Sequence, residues 1–196
     1  SNDNNLTRTD ILSRELFSSM AALNQAGQVD QNTIETLSES ILGKIQGNET
    51  RKVFLYSDLN IIKNDTVQDV RNYNENLNKI YTKYPINNNV IDILDRFVID
   101  EENVDEGILI ELDPIITQTN NIISEISKLK VPASLALLHL DFLNKFQKSS
   151  ENVLSIKSFD SDIVVAMGGI SQYEESVTEL QVSVTNLANA INQRLK

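Results

Sequence analysis

Cysteine is absent from this chain of 196 residues, which excludes thiol catalysis, cysteine-based zinc sites and disulfides, although it does not fix the compartment. Tryptophan is absent too, and aromatic residues make up only 6%, little material for a surface that stacks sugars or bases. Three prolines and six glycines are few for an all-β protein of this length. Basic residues are scarce: 17 Lys and Arg stand against 28 Asp and Glu, for a net charge of −11. No basic stripe compensates, so the chain is repelled by anionic lipid headgroups, and nucleic-acid binding is excluded. No apolar run approaches the ~20 residues needed to span a bilayer. Catalytic motifs are missing as well. There is no G-x-S-x-G elbow, and His139 is the only histidine available to any triad or metal site. The sequence therefore predicts a non-enzyme without a cofactor.

What is present is helical. Hydrophobic residues make up 40%, enough for one substantial core. From Asp160 to Leu195, the residues Ile163, Ala166, Ile170, Tyr173, Val177, Leu180, Val184, Leu187 and Ile191 recur at alternating spacings of three and four. That is a heptad seam, expected to pack lengthwise on other helices. Upstream, a helix is predicted over 6–26, stopped by Gly27, and another from Asp30 to about Gln46, stopped by Gly47; together they read as an antiparallel hairpin. Residues 50–62 are dense in β-branched and aromatic types. With no second strand evident, they predict an extended segment crossing the helices.

Further helices are predicted over 66–84, ended by Pro85, and from Val90 to about Ile99. Asp113-Pro114 reads as an N-cap followed by Pro at the first helical position, or as a kink in a longer helix that continues to Lys130. Val131-Pro132 breaks the chain, and a long helix follows from Ala133 to about Lys157. Asp160-Ser161-Asp162 then caps the last one. The expectation is an all-α, elongated bundle of about six or seven helices. It forms a single domain with a multi-helix part over about 6–130 and a long C-terminal antiparallel hairpin over about 133–196.

Three features invite a functional reading. His139 falls near the buried face of its helix, as a ligand or pH sensor, or as a core histidine bonded to a carboxylate or a backbone carbonyl. Asp100, Glu102, Asp105 and Glu111 lie in the densest acidic run and are the candidate metal ligands. An EF-hand is excluded there, because Val104 takes the fifth loop position and Asp105 stands where the turn needs Gly. A solvated acidic face is the plainer alternative. Gly168-Gly169 interrupts the seam, which calls for a kink or the close approach of another backbone. The chain also opens on Ser1-Asn2 rather than Met, as expected for a piece of a longer protein with a cloning remnant at its start.

A V-P-x-x-L-A-x-x-H-L-x-x-L-N pattern runs from Val131 to Asn144, and a Q-Y-x-x-x-x-x-x-L pattern from Gln172 to Leu180. Leu112-Asp113-Pro114-Ile115-Ile116 precedes them, and Glu15-Leu16-Phe17 lies near the start. With these motifs the chain resembles a group of uncharacterised helical proteins of candidate-phylum, ultra-small bacteria. The resemblance spans most of the chain and is best from Val131 to Tyr173. It implies a single-pass protein whose N-terminal apolar anchor precedes an exported helical domain. It also implies that the matched His139, Asn144, Gln172 and Tyr173 form a shared polar cluster.

Two functions follow as expectations. The first is an extracytoplasmic, membrane-anchored domain that binds protein partners or supports a cell-surface assembly. The second is a ligand-sensing bundle holding a small molecule or ion between helices, with His139, Tyr173, Gln172 and Asn144 as the ligand-binding residues. A coiled-coil oligomer sharing the seam between chains is a third reading.

Overall fold

The computed structural model describes residues 6–25, 39, 43, 51–87, 89–100 and 103–196. Six α-helices are delimited among them: α1 (Arg8–Gln25), α2 (Val67–Lys83), α3 (Val90–Phe97), α4 (Leu112–Ile126), α5 (Ala136–Lys157) and α6 (Ile163–Arg194). The all-α expectation holds. The helix expected from Asp30 to Gln46, and the stops at Gly27 and Gly47, lie outside the described residues apart from Glu39 and Gly43.

Local chemistry sets the helix starts. Thr66 opens α2 with a capping box: its hydroxyl accepts from the Asp69 amide, and the Asp69 carboxylate accepts from the Thr66 amide at 2.8 Å. Asn89 caps α3 through the Ile91 amide at 3.0 Å. Asp162 caps α6 through the Val165 amide, as its sequence predicted, and does a second job. It accepts from the Arg8 amide at 2.6 Å and from the Thr9 hydroxyl at 2.7 Å, fastening the start of α1 to the start of α6. Burial of this carboxyl opposes its ionisation, but the bonds from Thr9, Arg8 and Val165 outweigh that and hold it below the usual carboxylate range. At α4, a 3-10 stretch over Glu106–Glu111 runs straight into the helix, so Pro114 sits inside the first turn, where its missing N–H costs nothing.

Two expectations need correction. Residues 60–62 do have a strand partner. β1 (Asn60–Ile62) pairs in parallel with β2 (Lys130–Pro132), Ile61 opposite Val131. The partner is the same Val-Pro step that reads as a mere break in the sequence. Three-residue strands carry too little periodicity to announce themselves, and this pairing joins residues seventy positions apart.

The second correction concerns the seam. α6 is unbroken through Gly168-Gly169, yet Ile163 is 44% exposed and Val184 42% exposed. The residues buried along its middle are instead the small ones, Gly169, Ser176 and Ser183, at a spacing of seven. They face α5, which offers Ser149, Asn152 and Ser155 among its buried positions. A Cβ on Gly169 would stand 2.7 Å from the Asn152 carbonyl oxygen, so the two backbones touch here. Of the two readings of Gly168-Gly169, close approach is the one observed.

The large seam residues fill the space beside this line. Leu187 and Ile191 join a first core with Val70, Tyr73 and Leu77 of α2 and with Phe142 and Leu143 of α5. Ile170 and Tyr173 pack against a second core built from Val90, Ile93, Phe97, Leu112, Val153 and Ile156. α5 contributes to both cores and ties them together.

Candidate functional site

The α5–α6 contact encloses a polar network. Asn152, 1% exposed, is its centre. Its side-chain oxygen accepts from the Arg51 guanidinium at 2.8 Å, and its amide donates to the Ser176 hydroxyl at 2.9 Å and the Gln172 carbonyl at 3.2 Å. Ser176 passes its proton on to the Tyr173 carbonyl at 2.7 Å. Arg51 also donates to the Gln172 side chain at 2.8 Å and to the Lys148 carbonyl at 3.3 Å. Small residues create the close contact, and hydrogen bonds then satisfy the Asn152 and Ser176 side chains it buries.

The same arrangement anchors the extended segment after Arg51. Asn144 binds both backbone groups of Phe54: the Phe54 amide donates to Asn144 at 2.8 Å, and Asn144 donates to the Phe54 carbonyl at 3.1 Å. The Lys52 amide donates to Glu151 at 3.1 Å. Asn144 and Gln172 thus serve one strap through different residues of it.

His139 lies elsewhere. It is fully buried in the first core, its Nδ1 sharing a 2.8 Å hydrogen bond with the Tyr73 hydroxyl. The partner is a phenol rather than the carboxylate or carbonyl expected. Nε2 has no hydrogen-bond partner among the described residues. Burial pushes the imidazole pKa down to about 4, so the ring is neutral at ordinary pH. Tyr173 packs at the second core, where burial raises its hydroxyl pKa. His139, Asn144, Gln172 and Tyr173 therefore do not converge on one point.

The acidic run is also dispersed. Asp100 accepts from the Asn103 amide, Asp105 caps its 3-10 turn through the Gly107 amide, and Glu111 forms a two-pronged pair with Arg96 at 2.9 and 2.7 Å. The Arg96 bonds hold the Glu111 carboxyl below its usual range. Glu102 lies outside the described residues. Among the described residues, no group of three His, Cys, Asp or Glu is placed to hold a metal ion.

Two concave surfaces stand out. A groove of about 600 Å³ runs between α5 and α6, lined by Asp141, Lys145, Ser171, Glu174, Glu175, Thr178, Glu179, Val182 and Ser183. Lys145 and Lys148 both reach Glu179, at 3.1 and 2.9 Å, and Lys148 keeps that carboxyl below the usual range. Asp141, Glu174 and Glu175 pair with no described residue. Ser183 is 2% exposed and its hydroxyl has no partner among the described residues. A second cleft of about 180 Å³ lies between α2 and the end of α6. The sequence reading missed both, along with Arg51, Asn152 and Ser176. The signal available for the first was the spacing of Gly169, Ser176 and Ser183.

Comparison with protein-family models, curated proteins and solved structures finds no match to this chain. No helix among the described residues is long and apolar enough to cross a membrane.

Proposed function

We propose that this chain is a non-enzymatic interaction domain whose α5–α6 groove receives a basic, amphipathic helix of a partner protein. The observation that carries this reading is the rim of three carboxylates, Asp141, Glu174 and Glu175, which have no counter-charge among the described residues, beside an apolar strip and a buried hydroxyl with no partner among them. Val182 is 56% exposed on that strip, and Leu137, 72% exposed, stands one turn from Asp141 on α5. A helix laid between two helices presents residues to both walls at spacings of three and four. Lysine or arginine on its flanks would meet the carboxylates, and its apolar face would cover Val182. The chain's charge of −11 speeds the encounter with a basic partner. The resemblance to single-pass bacterial proteins supports an exported domain, held to the membrane by an N-terminal anchor and engaged in a cell-surface assembly.

The test is a binding titration by fluorescence anisotropy with a labelled amphipathic helical peptide bearing lysines along one edge. Saturable binding that weakens with salt, and that is lost in the double variant Glu174→Lys, Glu175→Lys, is expected. Binding indifferent to that charge reversal, or none at all, overturns the groove assignment. Fractionation of cells making the full-length protein tests the location separately; a membrane-free cytoplasmic pool as the main form overturns it.

A further inference from the structure

The cleft between α2 and α6 differs in kind from the groove. Its floor is apolar and buried: Leu77, Phe142, Leu187 and Ile191 are 8%, 1%, 3% and 4% exposed. Its lining also includes the side-chain amides of Asn74, Asn78 and Asn192 and the Tyr81 phenol. None of these four groups is hydrogen-bonded to a described residue. Among the described residues, no Asp, Glu, Lys, Arg or His lines the cleft, although such residues crowd the α5–α6 groove and a cavity around Lys79, Lys83, Glu125 and Lys128.

We infer that this cleft is a binding site for a small uncharged ring compound carrying one or two hydrogen-bonding groups, such as a hydroxyl or an amide. Size sets the first limit. An apolar cavity of ~150 Å³ takes up benzene, and about 180 Å³ is open here. A single ring fits on this floor. The polar lining sets the second limit. Amides and a phenol donate and accept hydrogen bonds but supply no counter-charge, so an ionised ligand would lose its hydration without replacement. A carboxylate would in addition enter against the net negative charge of the chain.

The position gives such a ligand leverage. Leu77 follows Tyr73 by one turn of α2, and Phe142 follows His139 by nearly one turn of α5, so the floor is the next layer beyond the buried His139–Tyr73 pair. A ring seated there touches α2, α5 and α6 together and holds the N-terminal layer against the C-terminal hairpin. This site shares no residue with the α5–α6 groove, so either assignment stands or falls without the other.

The experiment is an NMR-detected titration of the whole chain with benzyl alcohol and benzamide, set against benzoate and benzylammonium. The two neutral compounds should bind saturably and shift the ring resonances of Tyr81 and Phe142. The two charged compounds should bind at least about tenfold more weakly, as expected for a buried charge without a partner. Ala188→Phe, at an exposed rim position, should fill the cleft and abolish the shifts while the melting temperature stays that of the parent. Asn78→Phe plugs the cleft from the opposite wall and serves if Ala188→Phe folds poorly. Equal binding of neutral and charged compounds, shifts that survive a folded plug variant, or no saturable binding of either neutral compound each overturn the inference.

Discussion

Gly169→Ala should loosen the molecule at its tightest point. The added methyl would meet the Asn152 carbonyl oxygen at 2.7 Å, the Ser155 Cβ at 2.9 Å and the Ile156 amide nitrogen at 3.0 Å. Relaxed carbon contacts lie at ~3.5–4.0 Å, and none of these atoms is the free end of a side chain. The helices must therefore part by several tenths of an ångström, and Asn152 cannot move without disturbing its bonds to Arg51 and Ser176. Forcing an extra carbon into such a contact costs ~3 kcal/mol at the upper end of overpacking. Replacing Gly by Ala inside a helix returns ~1 kcal/mol. The net loss is about 2 kcal/mol, or a fall in melting temperature of about 4–8 °C for a domain of this size. Thermal unfolding followed by circular dichroism measures it. Ser183→Ala is the matched control on the same line: it removes a buried hydroxyl that has no partner among the described residues, so the melting temperature should hold or rise. If Gly169→Ala melts at or above the parent temperature, the close approach of α5 and α6 is wrong.

Two further changes test the strap and the buried imidazole. Asn144→Ala leaves the amide and carbonyl of Phe54 unpaired, which should cost about 2–3 kcal/mol in a urea titration and open the chain to trypsin at Arg51 and Lys52; unchanged cleavage would show that Asn144 does not hold the strap. His139 has a pKa of about 4 in the folded chain, against ~6.5 when unfolded. The unfolded chain therefore binds more protons between those values, so this contribution is complete above about pH 6.5 and is lost as the pH falls towards 4, by about 3 kcal/mol in all. His139→Gln should flatten the pH dependence of stability across that window; an identical slope in parent and variant would mean the imidazole is not held neutral.

Three features of the arrangement follow from one geometric fact. Because α5 and α6 pack backbone to backbone, the large residues of α6 are free to point sideways into two separate cores. The same contact buries Asn152, which binds Arg51 and so fixes where the extended strap begins. It also leaves a shallow outer groove rather than a filled ridge, the surface proposed above as the docking site.

The sequence by itself determined the helical class, most helix boundaries and caps such as that at Asp162, because these rest on local chemistry, although Asp113 does not cap α4, which starts at Leu112. Thr66 and Asp69, Asn89 and Asp162 announce their helices with side chains three residues or fewer from the amides they bind. The heptad spacing showed that α6 is long and packed, whereas Gly168-Gly169 left a kink and a close approach open until the structure showed the approach. Which face of α6 meets α5 was decided by tertiary structure, because large and small residues both repeat every seven positions and only the partner helix selects between them. The short parallel pairing of β1 with β2, the phenol facing His139, and the separation of His139 from Tyr173 are likewise contacts between distant segments. So are both concave surfaces, whose walls come from helices that share no local signal. Spacing along one chain reports a helix's own faces; the neighbour each face meets depends on how the whole chain closes.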